Sequence, residues 1–355
     1  MKDPADENEY RREIGIPYHP VITKQYVLPT PPVKRVYDMA CRAIATRSTG
    51  DTWASYPRFG KTWTIDYLMQ TLPDTFPDIV FISHIAKSHK IPYENKFFEE
   101  LFRSSGFGEM SRAQRRDARS TLIRAWIVLG HSKKSRCIVF IGDEMQRLHQ
   151  QELTWLADAS NELIAERVWF SALFFGQPQL AIMRDILLTD GRGDLVGRFL
   201  SNLHAFDGIR TATELEEVLA NFDDPNTTQS PDLETVCYSE YFFRRAFSAG
   251  WRLKNDALVI WKEFLRIASH SRTARGATNP SAEGLNIGMQ WIANTIANAF
   301  SSNYEKDSES FRFTTEDWAT AVALSGFAGS LGVTYEVGGS PLGKGKEGKA
   351  NHGSA

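Results

Sequence analysis

The sequence is poor in cysteine and has no long apolar run. Its three cysteines, Cys41, Cys137 and Cys237, are far apart, form no CxxC pair and have no histidine at ligand spacing. Neither a disulfide framework nor a zinc site is therefore predicted. No apolar run reaches the roughly 18 residues that a membrane-spanning helix needs, so no membrane span is predicted. The acidic, polar first residues lack the pattern of a secretory signal peptide, and we expect a cytoplasmic protein.

Net charge is also nearly absent. The chain has 41 Lys+Arg against 43 Asp+Glu, a formal net charge of −2. This balance excludes a protein that is basic over its whole surface, so any nucleic-acid surface must be local. With 42% hydrophobic and 24% charged residues in 355, the composition is that of an ordinary globular protein of one large domain or two smaller ones.

The pattern along the chain predicts four parts. The proline-containing residues 1–32 are predicted to be an extended N-terminal arm. Residues 33–210 alternate buried apolar runs with amphipathic helical patterns, which predicts an α/β domain whose parallel sheet has helices on both faces. Residues 211–330 carry mostly helical patterns and are predicted to form a smaller helical lid domain. Residues 331–355, rich in glycine and lysine, are predicted to be a flexible tail.

Short apolar runs mark the strands of the predicted sheet. Buried strands are expected at 79–82, 137–141 and 168–175, and the stretch 203–209 is strand-like. A capping-box pattern of Thr211 with Glu214 predicts the start of the first lid helix.

A phosphate-binding loop is the strongest chemical signal. Ser55 to Thr62 has the spacing G-x-x-x-x-G-K-[ST], with Ser55 in place of the first glycine. Backbone amides at the start of a helix, the Lys61 ammonium and the Thr62 hydroxyl are the groups that a phosphate and its Mg²⁺ need. The pattern therefore predicts nucleotide binding by Ser55, Gly60, Lys61 and Thr62.

Two carboxylates follow the second predicted strand. Asp143 and Glu144 would stand at the carboxyl edge of a parallel sheet, where ligands bind. There Asp143 can hold Mg²⁺ and Glu144 can orient and polarise the attacking water. The alternative interpretation is an acidic helix N-cap, and both can hold together.

Three further residues are candidates for contact with the nucleotide. Gln177 follows the third predicted strand and can touch the γ-phosphate or its water, or form an ordinary polar turn. Arg198 can reach a neighbouring subunit's γ-phosphate as an arginine finger, or pair on the surface, with Arg184 and Arg192 as competitors. Arg252, at the start of a lid helix, can lie over the same nucleotide or be solvated.

A local basic segment is the candidate DNA surface. Residues 103–136 hold nine Lys/Arg and two acidic residues, a local net charge of +7. Four arginines in it are spaced by three and four residues, which predicts one helix face that neutralises DNA phosphates without reading sequence. A solvated charged face is the alternative. The predicted DNA-binding residues are Lys87, Lys90, Arg112, Arg115, Arg116 and Arg119.

Taken together, these motifs resemble AAA+ ATPases, and within them the transposition regulators of the TnsC/TniB type. The resemblance covers about residues 31–327. It rests on Gly60-Lys61-Thr62, on Asp143-Glu144-Met145-Gln146-Arg147-Leu148, on Phe175-Gly176-Gln177-Pro178-Gln179-Leu180 and on Arg198-Phe199. It implies a P-loop NTPase core of the AAA+ type with a helical lid, and ATP and Mg²⁺ held between neighbouring subunits.

The resemblance also implies partners and roles. Such proteins form rings or helical filaments on double-stranded DNA in the bacterial cytoplasm, and they link a TniQ-like or RNA-guided target selector to a transposase. Lys61 and Thr62 would bind phosphates and Mg²⁺, Asp143 the metal, Glu144 would be the hydrolytic residue, Gln177 the first sensor and Arg198 the finger. Ser55 and Arg58 stand where the family has glycines.

Two other functions stay open. One is a nucleotide switch that scaffolds proteins without DNA, as in secretion or defence ATPases of the same superfamily. The other is an adaptor that binds nucleotide without hydrolysis, against which the presence of Glu144 argues. A nuclease or transposase is disfavoured, because no set of three acidic residues outside the nucleotide site suggests a two-metal centre.

Overall fold

The structure is a computed structural model that describes residues 15–228, 230, 235–273 and 285–331. Its centre is a sheet of five strands, all paired in parallel, in the order β2-β3-β4-β1-β5. The strands are β1 (Gly50–Ala54), β2 (Val80–Ile85), β3 (Cys137–Asp143), β4 (Trp169–Gly176) and β5 (Leu203–Ala205). Helices connect consecutive strands, as parallel pairing requires.

Helices of the first 200 residues cover both faces of this sheet. They are α1 (Pro20–Thr23), α2 (Pro31–Ala45), α3 (Lys61–Thr75), α4 (Glu94–Phe102), α5 (Arg112–Arg115), α6 (Ala118–Ser132), α7 (Gln150–Ala165), α8 (Gln179–Thr189) and α9 (Gly193–Leu195). Shorter 3-10 or π turns occupy Ile16–Tyr18, Arg103–Phe107, Met145–Arg147 and Val196–Leu200.

The remaining described residues after the sheet are mainly helical. They form α10 (Ala212–Phe222), α11 (Tyr238–Phe242), α12 (Arg244–Ser248), α13 (Ala257–Thr273), α14 (Met289–Asn303), α15 (Thr315–Leu324) and α16 (Phe327–Ser330), with 3-10 turns at Leu253–Asp256 and Tyr304–Lys306. Thr211 caps α10 by accepting from the Glu214 amide at 3.0 Å, as predicted, but the Glu214 carboxylate reaches the amide of Arg210 instead of that of Thr211.

The central strands show why the sheet is covered twice. Successive side chains of a strand point to opposite faces. In β3, Val139 and Ile141 belong to one hydrophobic core, which also holds α2, α3 and the helices after α9, whereas Ile138 and Phe140 belong to a second core with α4, α6 and α7. The predicted α/β class is therefore confirmed, and the predicted strands at 79–82, 137–141 and 168–175 are present as β2, β3 and β4.

The first strand, β1, was not predicted from its sequence, Gly-Asp-Thr-Trp-Ala, because it has no apolar run. All five residues are buried, and the polar ones are satisfied by distant partners. Asp51 lies 2.9 Å from His204 Nε2, and the Thr52 hydroxyl donates to the carbonyl of Phe199 at 2.6 Å. The strand-like stretch 203–209 forms only β5, and Ile209 instead makes an antiparallel bridge to Ile287 before α14.

The described part of the predicted arm is not extended throughout. Residues 16–23 form a 3-10 turn and α1, and His19 is fully buried with its ring stacked on Tyr241 at 4.4 Å between centroids. Burial of apolar and aromatic surface against α11 fixes this segment. Residues 1–14 and 332–355, which hold the rest of the arm and nearly all of the predicted tail, lie outside the described residues. Within the described ranges, no helix is both long enough and apolar enough to cross a bilayer.

Candidate nucleotide-binding site

The loop between β1 and α3 surrounds the Lys61 side chain. Gly60 is the N-cap of α3 at φ +104°, a conformation that favours glycine. Lys61 Nζ donates to the carbonyls of Ser55 and Tyr56 at 3.1 and 3.2 Å and lies 3.4 Å from Ser55 Oγ. Burial lowers the pKa of Lys61, while the Glu144 and Asp143 carboxylates oppose that shift. The Lys61 ammonium and the first main-chain amides of α3 therefore lie close together in this loop.

Arg58 is the unusual residue of this loop. It adopts φ +73°, in the left-handed region, where the resembled family has glycine. Its carbonyl accepts a hydrogen bond from the Gln290 amide of α14 at 3.3 Å. Its exposed guanidinium has no ion pair or hydrogen bond to a described residue. The loop therefore keeps its shape despite the missing glycine, through a main-chain contact to the lid.

Thr62 and Asp143 form the predicted metal-binding pair. The Thr62 hydroxyl donates to Asp143 Oδ2 at 2.8 Å, and Asp143, at the end of β3, is 4% exposed. A hydroxyl and a carboxylate are the hard oxygen ligands that Mg²⁺ prefers, usually completed by phosphate oxygens and water. Consistent with this, the residues described contain no group of three His, Cys, Asp or Glu side chains that would hold a metal alone. The pair fits Mg²⁺ bound together with a phosphate.

Three donors surround the carboxylate of Glu144. Its Oε2 accepts from Gln146 Nε2 at 2.9 Å and from Gln177 Nε2 at 3.3 Å, and it lies 3.0 Å from the Arg147 guanidinium. Gln146 Oε1 also accepts from the main-chain N–H of Gln177 at 3.0 Å. The tips of β3 and β4 thus bring together Glu144 and Gln177, which sequence reasoning had placed near one nucleotide. It had assigned no role to Gln146 and Arg147, although both lie within three residues after the acidic pair.

A cavity of about 440 Å³ opens beside these groups, within the roughly 300–1,000 Å³ that small-molecule sites occupy. One part of its lining comes from residues 57–64 and Glu144. The other part comes from the segment before α2 and its first turn, from the residue after β5 and from the start of α14: Lys24, Tyr26, Leu28, Thr30, Val33, Phe206, Met289, Gln290 and Ala293. Sequence reasoning missed this second set, because three distant segments supply it without a shared motif.

Two predicted arginines do not line this cavity. Arg252 is held elsewhere: its guanidinium lies 3.6 Å from the centroid of the Phe247 ring and donates to the carbonyls of Phe247 and Trp251. The role of Arg252 as a nucleotide contact therefore stays a prediction, and the start of α14 lines the cavity with Gln290.

The Arg198 side chain lies against α7. It donates to the Ala157 carbonyl at 3.3 Å and to Asn161 Oδ1 at 2.7 Å, and it contacts the Ser160 hydroxyl. These bonds fix the guanidinium against α7 in a single chain. The role of Arg198 as a finger at another copy's γ-phosphate stays a prediction.

The predicted arginine face is broken in the structure. α5 ends at Arg115, and Asp117 starts a new helix by capping α6 through the Ser120 amide at 3.3 Å. The four arginines therefore do not share one helix face, which corrects the prediction. Arg115 pairs with Glu99 and Glu109, and Arg119 with Glu94 and Glu162. Arg112 and Arg116 are exposed and have no ion pair with a described residue.

The loop after β2 carries the other candidate DNA contacts. Its His89 lies 3.0 Å from Glu152 and 3.4 Å from Glu100, two buried carboxylates on α7 and α4. Lys87 lies 3.6 Å from Glu100, whereas Lys90 is exposed. The contacts of His89 with these two carboxylates anchor the loop. Both lysines lie on the surface of this anchored loop.

The strand order and the helices after the sheet match the predicted fold class, a parallel α/β core of the P-loop type with a helical lid. No family model matches the sequence. No curated protein matches it either. Among solved structures, the fold is similar to the Aeropyrum pernix ORC2 protein, in a structure of its ADPNP-ADP complexes, at 12% identity and TM-score 0.51, covering 86% of this chain and 71% of that one.

Two other solved structures align at lower TM-scores. Cdc6p from Pyrobaculum aerophilum has 13% identity and TM-score 0.39, covering 87% of this chain and 89% of that one. Domain III of the Thermotoga maritima replication initiation protein DnaA has 12% identity and TM-score 0.39, covering 84% and 93%.

Proposed function

We propose that this protein is an ATPase that binds ATP with Mg²⁺ and hydrolyses it to ADP and phosphate. The observation that carries the proposal is the Thr62–Asp143 hydrogen bond of 2.8 Å next to the Glu144–Gln177 contact, both beside the cavity that the phosphate loop lines. A lysine and a hydroxyl at a helix start, next to two carboxylates and an amide side chain at strand ends, are the set that phosphoryl transfer requires.

Each residue has a separate task in this proposal. Lys61 and the first amides of α3 bind the β- and γ-phosphate oxygens. Thr62 and Asp143 would hold Mg²⁺, which when bound would supply positive charge against the charge that develops on the phosphates. Glu144 accepts a hydrogen bond from the attacking water once its carboxylate turns from Arg147 and Gln146, and Gln177 holds the same water or a γ-phosphate oxygen.

The wider function that we propose is regulation of DNA transposition in the bacterial cytoplasm. In this proposal ATP-bound copies assemble as a ring or filament on target double-stranded DNA, with Arg198 of one copy at the next copy's γ-phosphate. The assembly links a TniQ-like target selector to the transposase. The motif resemblance supports this proposal. So do four exposed cations between residues 87 and 116: Lys87, Lys90, Arg112 and Arg116.

Lys61→Ala and Glu144→Gln test the ATPase proposal. We expect Lys61→Ala to lose ATP binding and Glu144→Gln to bind ATP but release phosphate at least about 100-fold more slowly, since removal of general-base help costs roughly 10²–10⁴-fold. Phosphate release and binding of a fluorescent ATP analogue are the measurements. If Lys61→Ala retains nucleotide affinity, the phosphate site has been assigned wrongly.

DNA binding needs a separate experiment, because the pairing of Arg115 and Arg119 with acids also suits a nucleotide switch without DNA. We expect the ATP-bound protein to bind duplex DNA with an affinity that falls steeply between 50 and 200 mM salt, as counterion release requires. Arg112→Ala with Arg116→Ala should weaken binding, and Arg244→Ala is a control on the lid. ATP-dependent assembly without any affinity for DNA would favour the switch.

A further inference from the structure

The backbone of Arg58 is strained, and no ordinary structural reason accounts for it. Seven described non-glycine residues have a positive φ, and three of them line the cavity beside the phosphate loop: Lys24, Arg58 and Glu144. This conformation is costly for a residue with a side chain, and such residues cluster at functional sites. Arg47 and Arg167 directly follow the C-caps of α2 and α7, where a positive φ commonly ends a helix. Arg58 follows strand β1 instead, so helix termination does not explain its conformation.

The Arg58 side chain is also a cation without an acidic partner in the described chain. It is exposed, it belongs to the lining of the cavity, and its guanidinium makes no ion pair or hydrogen bond with a described residue. The lining contains three cations, Lys24, Arg58 and Lys61. It contains one carboxylate, Glu144, which already pairs with Arg147. The lining therefore has an excess of positive charge, which suits an anionic ligand.

The position of Arg58 in the loop brings it close to the group that binds phosphate. Arg58 lies three residues before Lys61, so their Cα atoms would be at most about 11 Å apart even in a fully extended chain. The loop is not extended, because Lys61 Nζ turns back to the carbonyls of Ser55 and Tyr56. The main-chain bond from Gln290 to the Arg58 carbonyl holds the backbone from which the guanidinium extends.

We infer that the Arg58 guanidinium binds a phosphate oxygen of the nucleotide in the cavity of its own chain, as a second cation beside Lys61. This rests on the proposed ATP binding. A planar guanidinium can donate two parallel hydrogen bonds to one phosphate, which gives it a geometric specificity that an ammonium lacks. The remaining cation of the lining, Lys24, comes from the segment before α2 and not from the phosphate loop. Arginine at position 58 thus keeps a strained backbone and supplies a charge that glycine lacks.

Arg58→Ala and Arg58→Gly test this inference together, because both remove the guanidinium and glycine also fits the positive φ. We expect both variants to bind ATP about 10-fold more weakly than the wild type, equivalent to about 1.4 kcal/mol. Inorganic triphosphate should lose affinity by the same factor, since the contact is with phosphate. Arg58→Lys keeps the charge without the planar fork and should bind with intermediate affinity. Arg47→Ala is the matched control, since Arg47 is also exposed with a positive φ but precedes β1, and it should bind both ligands normally.

Ligand chemistry and protein concentration separate the other roles that Arg58 could have. A loss for ATP that is absent for inorganic triphosphate would show a contact with the base or ribose and overturn the inference. The loss should be the same at protein concentrations below and above self-assembly, because Arg58 and the cavity belong to one chain. A loss that appears only on assembly is evidence for a contact with another copy's nucleotide, and the inference is then wrong. Unchanged ATP affinity with weaker binding of duplex DNA also overturns it.

The same titrations distinguish failure of this inference from failure of the ATP site. If the wild-type protein and Lys61→Ala bind ATP and triphosphate equally poorly, the proposed ATP site fails. Normal wild-type binding that is lost in Lys61→Ala and kept in Arg58→Ala refutes only the role of Arg58.

Discussion

Arg58 offers a direct test of how the phosphate loop keeps its shape. Its φ of +73° costs a residue with a side chain roughly 1–2 kcal/mol relative to glycine. Glycine also lowers the free energy of unfolding by about 0.4–1 kcal/mol, because it raises the conformational entropy of the unfolded chain. Arg58→Gly should therefore be more stable than Arg58→Ala by about 0.5–1 kcal/mol, because both variants lose the guanidinium and only alanine keeps the strain.

Thermal unfolding of the two variants without nucleotide measures this difference. We expect Arg58→Gly to melt roughly 1–4 °C above Arg58→Ala, given the usual relation between stability and melting temperature for domains of this size. Any change in ATP affinity that both variants share reports on the guanidinium, and a difference between them reports on the backbone. An alanine variant that melts at or above the glycine variant refutes the left-handed conformation of residue 58.

Two more substitutions probe the lid and its charge. Gly288→Ala should cost about 1–3 kcal/mol and weaken ATP binding, because its Cβ would lie 2.7 Å from the Arg58 carbonyl, whereas Gly329→Ala has open space and is the control; calorimetry and nucleotide titration check both. Burial raises the pKa of Asp256 from 3.8 to about 6, because the folded state favours the neutral carboxyl. The folded state is therefore fully stable below about pH 4 and loses stability as the pH rises through 6. Asp256→Asn should therefore be about 1–3 kcal/mol more stable than wild type in urea at pH 8 and equal at pH 4; equal stability at both contradicts the shift.

Sequence reasoning found the polar half of the site because its chemistry lies in contiguous residues. Gly60, Lys61 and Thr62 start one helix, and Asp143 and Glu144 end one buried strand. The carboxyl ends of parallel strands meet at one sheet edge, so topology alone brings these two motifs together. The alternation of buried runs and amphipathic helices similarly predicted the class of the fold.

The missed or mistaken parts depend on contacts between distant segments. Strand β1 is held by side-chain bonds of Asp51 and Thr52 that no local pattern reveals. Spacing alone placed four arginines on one helix, but Asp117 caps a new helix there. The place of Arg252 at a helix start did not reveal that its side chain packs on Phe247. Local spacing specifies neither helix breaks nor the partner of a long side chain.

The contact between the Arg58 carbonyl and the Gln290 amide has a mechanical consequence. It is a main-chain bond, so no side-chain replacement at either position removes it, with the exception of proline at 290. A rotation of α14 would pull on the turn that precedes Gly60 and shift the amides offered to a phosphate. A movement of the helices after the sheet would therefore also change the conformation of the phosphate loop. That coupling passes through main-chain atoms, which most substitutions leave in place.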